Sequence, residues 1–334
     1  MSEGAPPPGR PKAARSVSGA GIAREPQSPP SSGRRQGFEE HGSSLPQPAG
    51  CAKPAVGQGT GERLLKFAGA AQTYDLAAVL AREVGSRMGV RLDLVKIAPR
   101  RVADIGCATG DGIRDLQQRY GKALPLALDY ALPMLRAVRG RTPRLQRMAR
   151  RGPRLLNADV RALPLAANTL GLVWSNLMLH WLDDPLPALR ELHRVLEVGG
   201  LLSFATLGPD TLKELRAAAG KVGAGDTARR FLDMHDLGDM LVAAGFGDPV
   251  MDMEMITLSY PSPRAFLADQ RHLGVRDALL GQQGWRDWRR LLGAWPRDAA
   301  GRLPASFEIV YGHAWKPAPR QIADGRAVLK FHPR

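Results

Sequence analysis

Hydrophobic and polar positions follow two periods along most of this chain. In "ERLLKFAGAAQTYDLAAVLAREVGSRM", Leu65, Phe67, Tyr74, Leu76, Val79, Leu80 and Val84 recur at mostly helical spacing. "RVADIG" is then a short apolar run of buried-strand type, and "GIRDLQQRY" reads as the helix after it. "LPLALDYA" predicts a second strand ending in an acid, "MLRAVRG" a short helix, and "PRLLNADVRALPL" a third strand and loop. "TLGLVWSNLMLHW" predicts a fourth strand running into a loop. "PLPALRELHRVLEVGG" reads as a helix stopped by Gly199 and Gly200, and "LLSFATL" as a fifth strand. Helices over "TLKELRAAAGKV" and "MHDLGDMLVAAGF" follow, then a strand over "DPVMDMEMITLSY". A helical, tryptophan-rich stretch from Pro263 to Trp295 precedes a last strand, "ASFEIVYGHAW". Strands alternating with helices at these intervals point to an α/β fold with a parallel sheet covered on both faces.

Residues 1 to about 60 break the pattern. "APPPGRPKAARSVSGAG" and "SPPSSGRRQGFEEHGSS" are low in complexity and hold almost nothing to bury, so a disordered N-terminal tail is expected. The formal net charge of +15 suits nucleic acid, anionic membranes or acidic proteins as partners, although arginine-rich composition can also follow from a GC-rich genome. No apolar run is long enough to span a bilayer, and the N-terminus lacks the apolar core of a secretory signal. The two cysteines, Cys51 and Cys107, are placed unfavourably for a structural disulfide, and no Cys/His cluster suggests a metal. A reduced, cytoplasmic protein is expected.

The chemistry begins at "RVADIGCATGDGIRDL". Its glycines, Gly106, Gly110 and Gly112, are spaced G-x-x-x-G-x-G rather than as the dinucleotide fingerprint, and Asp104 stands at the strand end. A carboxylate there would repel a pyrophosphate. It suits S-adenosylmethionine, which carries a sulfonium and an amino group and no phosphate. Asp129 ends the second strand, where a carboxylate can accept both ribose hydroxyls. Asp159 follows the third strand and can accept from the adenine amino group, with Val160 packed on the ring. Cys107 in the turn and Tyr130 beside Asp129 complete the cofactor side. Ser175, Asn176 and Leu177 form the loop after strand four, where the transferable methyl would face the acceptor.

These residues resemble the class I S-adenosylmethionine-dependent methyltransferases: "VADIGCATGDG", "ALDYALPML", "ADVRALPLAANTLGLVWSNLMLHW" and "ALRELHRVLEVGGLLSFATLGPDTLKEL" carry the likeness. Within that superfamily, "FAGAAQTYD", "WSNLMLHW" and "FLADQRHLGV" resemble the malonyl-acyl carrier protein O-methyltransferases of biotin synthesis. The resemblance covers roughly Phe67 to Trp315. It implies a Rossmann-like class I methyltransferase fold, with a mostly parallel seven-stranded sheet and a helical lid, about 262–300, inserted between the last two strands. The implied domain runs over 61–317, between tails at 1–60 and 318–334. Ala108, Arg271 and His180 depart from common residues of that family, which have glycine, lysine and, in some members, glutamine there.

The resemblance implies methylation of the free carboxylate of a malonyl thioester on an acidic acyl carrier protein. Such a carboxylate is ionised at neutral pH, with a reference pKa of roughly 3.5, and needs no general base. Arg271, before Gly274, is either the cation that grips the carboxylate or a surface arginine. Tyr74 either covers the cofactor and orients the acyl group or is a core tyrosine. His180, with Trp181, either lines the acyl channel or is a buried, hydrogen-bonded histidine. Trp285, Trp288, Leu291, Leu292 and Trp295 form either an acyl chamber or the packing face of the lid. Arg136, Arg139, Arg141, Arg144, Arg147, Arg150, Arg151 and Arg154 form a run without an internal acid, either a docking face for the carrier or a solvated surface. Two further readings keep the fold: a factor like the complex I assembly protein associated with arginine hydroxylation, and a small-molecule or quinone methyltransferase. An RNA methyltransferase lacks both a recognisable RNA-binding module and the amino-methylation motif after strand four. Membrane and nucleic-acid partners are not expected, and oligomeric state is left open.

Overall fold

The apolar runs pair side by side. The computed structural model describes residues 67–149, 151–224, 228–280 and 285–319. The proposed tail over 1–60, Cys51, Leu65, Arg150, the Trp285 side chain and most of 318–334 lie outside the described residues. Seven strands form one sheet: β1 (Arg101–Ile105), β2 (Leu124–Asp129), β3 (Arg154–Asn157), β4 (Leu170–Asn176), β5 (Leu196–Leu207), β6 (Gly247–Tyr260) and β7 (Leu303–Trp315). Their order is β3-β2-β1-β4-β5-β7-β6. The first five run parallel, and β7 is antiparallel to both β5 and β6. The mostly parallel α/β fold expected of class I methyltransferases is therefore present.

Side chains alternate across the sheet and divide the core into two layers. Val102, Leu172, Trp174, Leu201 and Ala205 face a layer that includes Val84, Met88 and Leu92 of α2 (Val79–Asp93) and Ile113 and Leu116 of α3 (Asp111–Arg119). The α2 helix is preceded by the short α1 (Tyr74–Ala77). Ala103, Ile105, Val173, Leu202 and Phe204 face the other layer. Leu189 and Leu192 of α6 (Leu186–Val195) and Leu241 of α8 (Met234–Ala243) cover it. The remaining helices before the last two strands are α4 (Leu132–Arg141), α5 (Arg144–Met148) and α7 (Lys213–Val222).

The predicted end of α6 is corrected. The helix stops at Val195, and Leu196, at ψ 141°, already pairs with Leu170 in the sheet. Gly199 and Gly200 lie inside β5, where the register to β4 slips between Leu170 and Leu172. Gly199 adopts φ +77° there, so the pair bends a strand rather than ending a helix.

Among the described residues, three helices stand between β6 and β7: α9 (Pro263–His272), α10 (Arg276–Leu279) and α11 (Trp285–Ala294). Trp288, Leu291 and Trp295 are buried, α11 packs along α7, and the Trp295 indole N–H donates to the Pro304 carbonyl at 2.8 Å. Trp288 and Trp295 therefore anchor the insertion to the domain and do not line the cavities of the crevice. No helix among the described residues is long and apolar enough to cross a membrane.

Candidate active site

Strand order reverses at β1, which lies between β2 and β4, and a crevice opens beyond the carboxyl ends of those strands. The glycine turn lines it. Gly106 has φ +77°, and a Cβ there would sit 2.6 Å from Met178 Cβ, so only glycine lets the turn pass beneath the loop after β4. At Gly112 a Cβ would fall 2.7 Å from Asp104 Oδ2, so this glycine makes room for the carboxylate. Gly110, at φ +93°, caps α3 from behind and packs on Val138.

Two acids are sunk into this turn. Asp104 is 2% exposed and Asp129 6%. Asp129 accepts from the Ala108 N–H at 2.9 Å and from the Ala131 N–H at 2.8 Å, which ties β2 to the turn and leaves outward lone pairs on both oxygens. Burial, then the neighbouring Asp129 charge, push the Asp104 carboxyl up to about 8, against a hydrogen bond from the Ile113 backbone. Burial likewise pushes Asp129 up to about 6, opposed by its two backbone donors. Neither acid has an ion pair among the described residues. Two buried acids that lack an ion pair among the described residues suit a ligand that brings cationic and hydroxyl donors.

The crevice comprises two contiguous cavities. Tyr74, Ala81, Gly106, Ala108 and Asn176 line both. The smaller also takes in Asp104, Cys107, Thr109, Gly112 and Trp174. The larger passes Asp129, Tyr130, Asp159, Val160 and Leu163 at one end. Asp159 accepts from the Arg161 side chain at 2.6 and 3.0 Å and from the Arg161 backbone N–H at 2.9 Å. Burial alone would raise Asp159, but these bonds outweigh it and hold the carboxyl below its ordinary range. Cys107 is buried, and burial holds its thiol well above the ordinary range, so it is an unreactive wall group.

The N-terminal segment roofs the larger cavity. Asp75 accepts from Thr109 Oγ1 at 2.7 Å and pairs with Arg141, while Thr73 Oγ1 donates to the His272 carbonyl at 3.1 Å. The roof is thus clasped to the glycine turn and α4 on one side and to α9 on the other. Phe67 meets Tyr74 edge to face and Trp181 at a tilt, at 5.8 and 5.0 Å between ring centroids. Burial, then the nearby Asp129, Asp111 and Asp104 charges, raise the Tyr74 phenol, so it remains protonated. His180 is lowered to about 3 by burial and by the positive charge of Arg229, and its Nδ1 has no partner. Asn176 donates to the Ala81 carbonyl at 2.8 Å, and its Oδ1 is left without a partner.

The structure therefore brings together Tyr74, His180, Asp104, Gly106, Cys107, Asp129, Tyr130, Asp159, Val160 and Asn176. It does not bring in Arg271. That side chain is exposed and does not line the cavity. The inner face of α9 carries Phe266 and Gln270, four residues apart, and the next residue turns about 100° away. Gln270, Met178 and Tyr260 line the cavity and were not singled out from sequence, and Phe67, which opens the "FAGAAQTYD" motif, lines it with them. The arginine run is also revised: Arg141 is committed to Asp75 and Asp111, while Arg136, Arg139, Arg144, Arg147, Arg151 and Arg154 are exposed. Among the described residues no group of three or more His, Cys, Asp or Glu could hold a metal ion.

The donor set fits S-adenosylmethionine. Asp104 lines the smaller cavity, and Asp129, Asp159 and Val160 line the larger. A methyltransferase domain model matches residues 103–204. The malonyl-acyl carrier protein O-methyltransferase of Laribacter hongkongensis is 49% identical over 278 residues, 80% of this chain and 94% of that protein. The enzyme of the same name from Gallionella capsiferriformans is 48% identical over 272 residues, 79% of this chain and 93% of that one. In fold, the crystal structure of the Bacillus subtilis YcgJ protein superposes with a TM-score of 0.51 at 12% identity, covering 70% of this chain and 98% of that one.

Proposed function

Because the chain belongs to the malonyl-acyl carrier protein O-methyltransferase family, we propose that it methylates the free carboxylate of a malonyl thioester carried on an acyl carrier protein, early in biotin synthesis. It is an S-adenosylmethionine-dependent methyltransferase. The observation that carries the choice of acceptor is the 49% identity, over 94% of its length, to a malonyl-acyl carrier protein O-methyltransferase, and the roof residues agree with it. His180, lowered to about 3, is not protonated or deprotonated near neutral pH, and the Tyr74 phenol is raised. An acceptor that must lose a proton, such as an amine cation or a phenol, finds neither His180 nor Tyr74 matched to take it, and the acids raised toward neutral pH, Asp104 and Asp129, stand at the cofactor end. A carboxylate arrives ionised.

Bound in the cradle, S-adenosylmethionine supplies a methyl group on a cationic sulfur. The chain's part is placement. Asp104 and the glycine turn hold the amino-acid end, Asp129 the ribose, and Asp159 with Val160 the adenine. Asn176 and Met178 flank the turn where the two cavities meet. Phe67, Tyr74 and Trp181 close the roof over the acceptor half and exclude water. Alignment and desolvation supply the rate enhancement.

With labelled S-adenosylmethionine, malonyl-carrier protein is expected to take up label, and acetyl-carrier protein none above background. Equal labelling of the two would contradict a carboxylate acceptor.

A further inference from the structure

The carboxylate reading leaves one question: what in the chamber recognises a negative charge? The basic side chains on its described wall are Arg161, tied to Asp159 at the adenine end, and the neutral His180. Arg271 points outward. Next to it in sequence, Gln270 is 2% exposed, lines the chamber, and has a buried carbonyl oxygen with no hydrogen-bond partner. A buried amide oxygen left unpaired is costly, so an orphan on a cavity wall marks a group kept for a ligand. A primary amide carries two N–H donors and a carbonyl on one plane, and a half-turn about its last bond presents either end. His180 Nδ1 is a second orphan on the same wall.

We propose that Gln270 is the specificity-determining residue for the acyl carboxylate: its amide N–H donates to the carboxylate oxygen that does not attack. This rests on the carboxylate reading above. The reaction favours a neutral donor over a cation. An oxygen–methyl bond forms, the methyl–sulfur bond breaks with its electron pair remaining on sulfur, and no proton moves. Anion and cation become neutral ester and neutral sulfide. A guanidinium clamped on the carboxylate would stabilise the charged ground state more than the partly neutralised transition state and so slow the step. An amide orients the carboxylate with a smaller penalty of that kind and leaves the ester free to depart.

The test uses the full chain. For Gln270→Leu, kcat/KM toward malonyl-carrier protein is expected to fall roughly ten- to a hundredfold, the loss of one hydrogen bond to a charged group. S-adenosylhomocysteine affinity, measured by calorimetry, is expected to stay within about twofold, which also reports that the variant is folded. Gln270→Glu is expected to be worse than Gln270→Leu at pH 8 and to recover as pH falls, because its carboxyl regains a donor on protonation. Arg271→Ala is expected to change kcat/KM toward the small substrate malonyl-pantetheine by less than about threefold. If the wild-type chain methylates malonyl-carrier protein but both Gln270 variants match it, or if Arg271→Ala alone cripples malonyl-pantetheine turnover, the assignment of Gln270 is wrong. If the wild-type chain does not methylate malonyl-carrier protein, the carboxylate reading itself fails.

Discussion

Asp104→Asn is expected to weaken binding of S-adenosylmethionine and S-adenosylhomocysteine about a hundredfold while making the ligand-free protein more stable at pH 8.5. The first effect is the loss of an ionic hydrogen bond to the ligand's amino group, typically about 1.5–3 kcal/mol. The second follows from burial. Asp104 is raised from 3.8 to about 8, so between those values the folded chain holds a proton that the unfolded chain has released. Its contribution to stability is therefore full below about pH 4 and declines as pH rises toward 8. Asparagine has nearly the same shape and does not titrate, so that decline disappears and the variant gains on the wild type as pH rises. For the same reason, ligand binding to the wild type releases a proton below pH 8, and affinity rises between pH 6 and 8. In Asp104→Asn this dependence should be lost. Calorimetry in two buffers of different ionisation enthalpy measures the proton release, and thermal melts across pH measure the stability. Wild-type affinity in the variant, or an unchanged pH slope, would remove Asp104 from the cradle.

Gly106→Ala is expected to lower the melting temperature by about 10 °C and to reduce methyl transfer at least about a hundredfold. Two penalties combine. The backbone stands at φ +77°, which costs an L-residue about 1–2 kcal/mol. The new methyl would also sit 2.6 Å from Met178 Cβ, an overlap worth about 1–3 kcal/mol of displaced packing. The displaced Met178 side chain would then intrude where the two cavities join. Adding Met178→Ala removes the overlap with Met178 Cγ but keeps that with Cβ and the backbone strain, so the double variant is expected to recover only part of the stability. A single variant with wild-type melting and turnover would show that the turn does not approach the loop after β4 as described.

The cradle was legible in the sequence because each of its parts is local to a strand end. A buried strand closed by Asp104, a second closed by Asp129, and a loop with Asp159 are short-range signals, and the parallel sheet sets them side by side without further instruction. The acceptor side was less legible. Choosing between Gln270 and Arg271 requires the rotational phase of α9, and chemical expectation favoured the charged residue while packing turned the neutral one inward. The Asp75–Arg141 clasp joins residues far apart in sequence, and nothing in either neighbourhood announces the other. Within the arginine run, Arg141 has the same local appearance as its exposed neighbours. Gly199 and Gly200 carry the signature of a helix stop, but the pairing of Leu196 with Leu170 had already drawn the chain into the sheet.

The central claim is that the acid-lined cradle and the chamber roofed by Phe67, Tyr74 and Trp181 together deliver a methyl group to a carboxylate. The most direct measurement is the intact mass of malonyl-carrier protein after incubation with the full chain and S-adenosylmethionine, with fragmentation of the acyl group to locate the addition. The expected result is the gain of one methyl, on the terminal carboxylate, and no gain when acetyl-carrier protein is supplied instead. A malonyl-carrier protein of unchanged mass, or a methyl placed on any other atom of the acyl group, would contradict it.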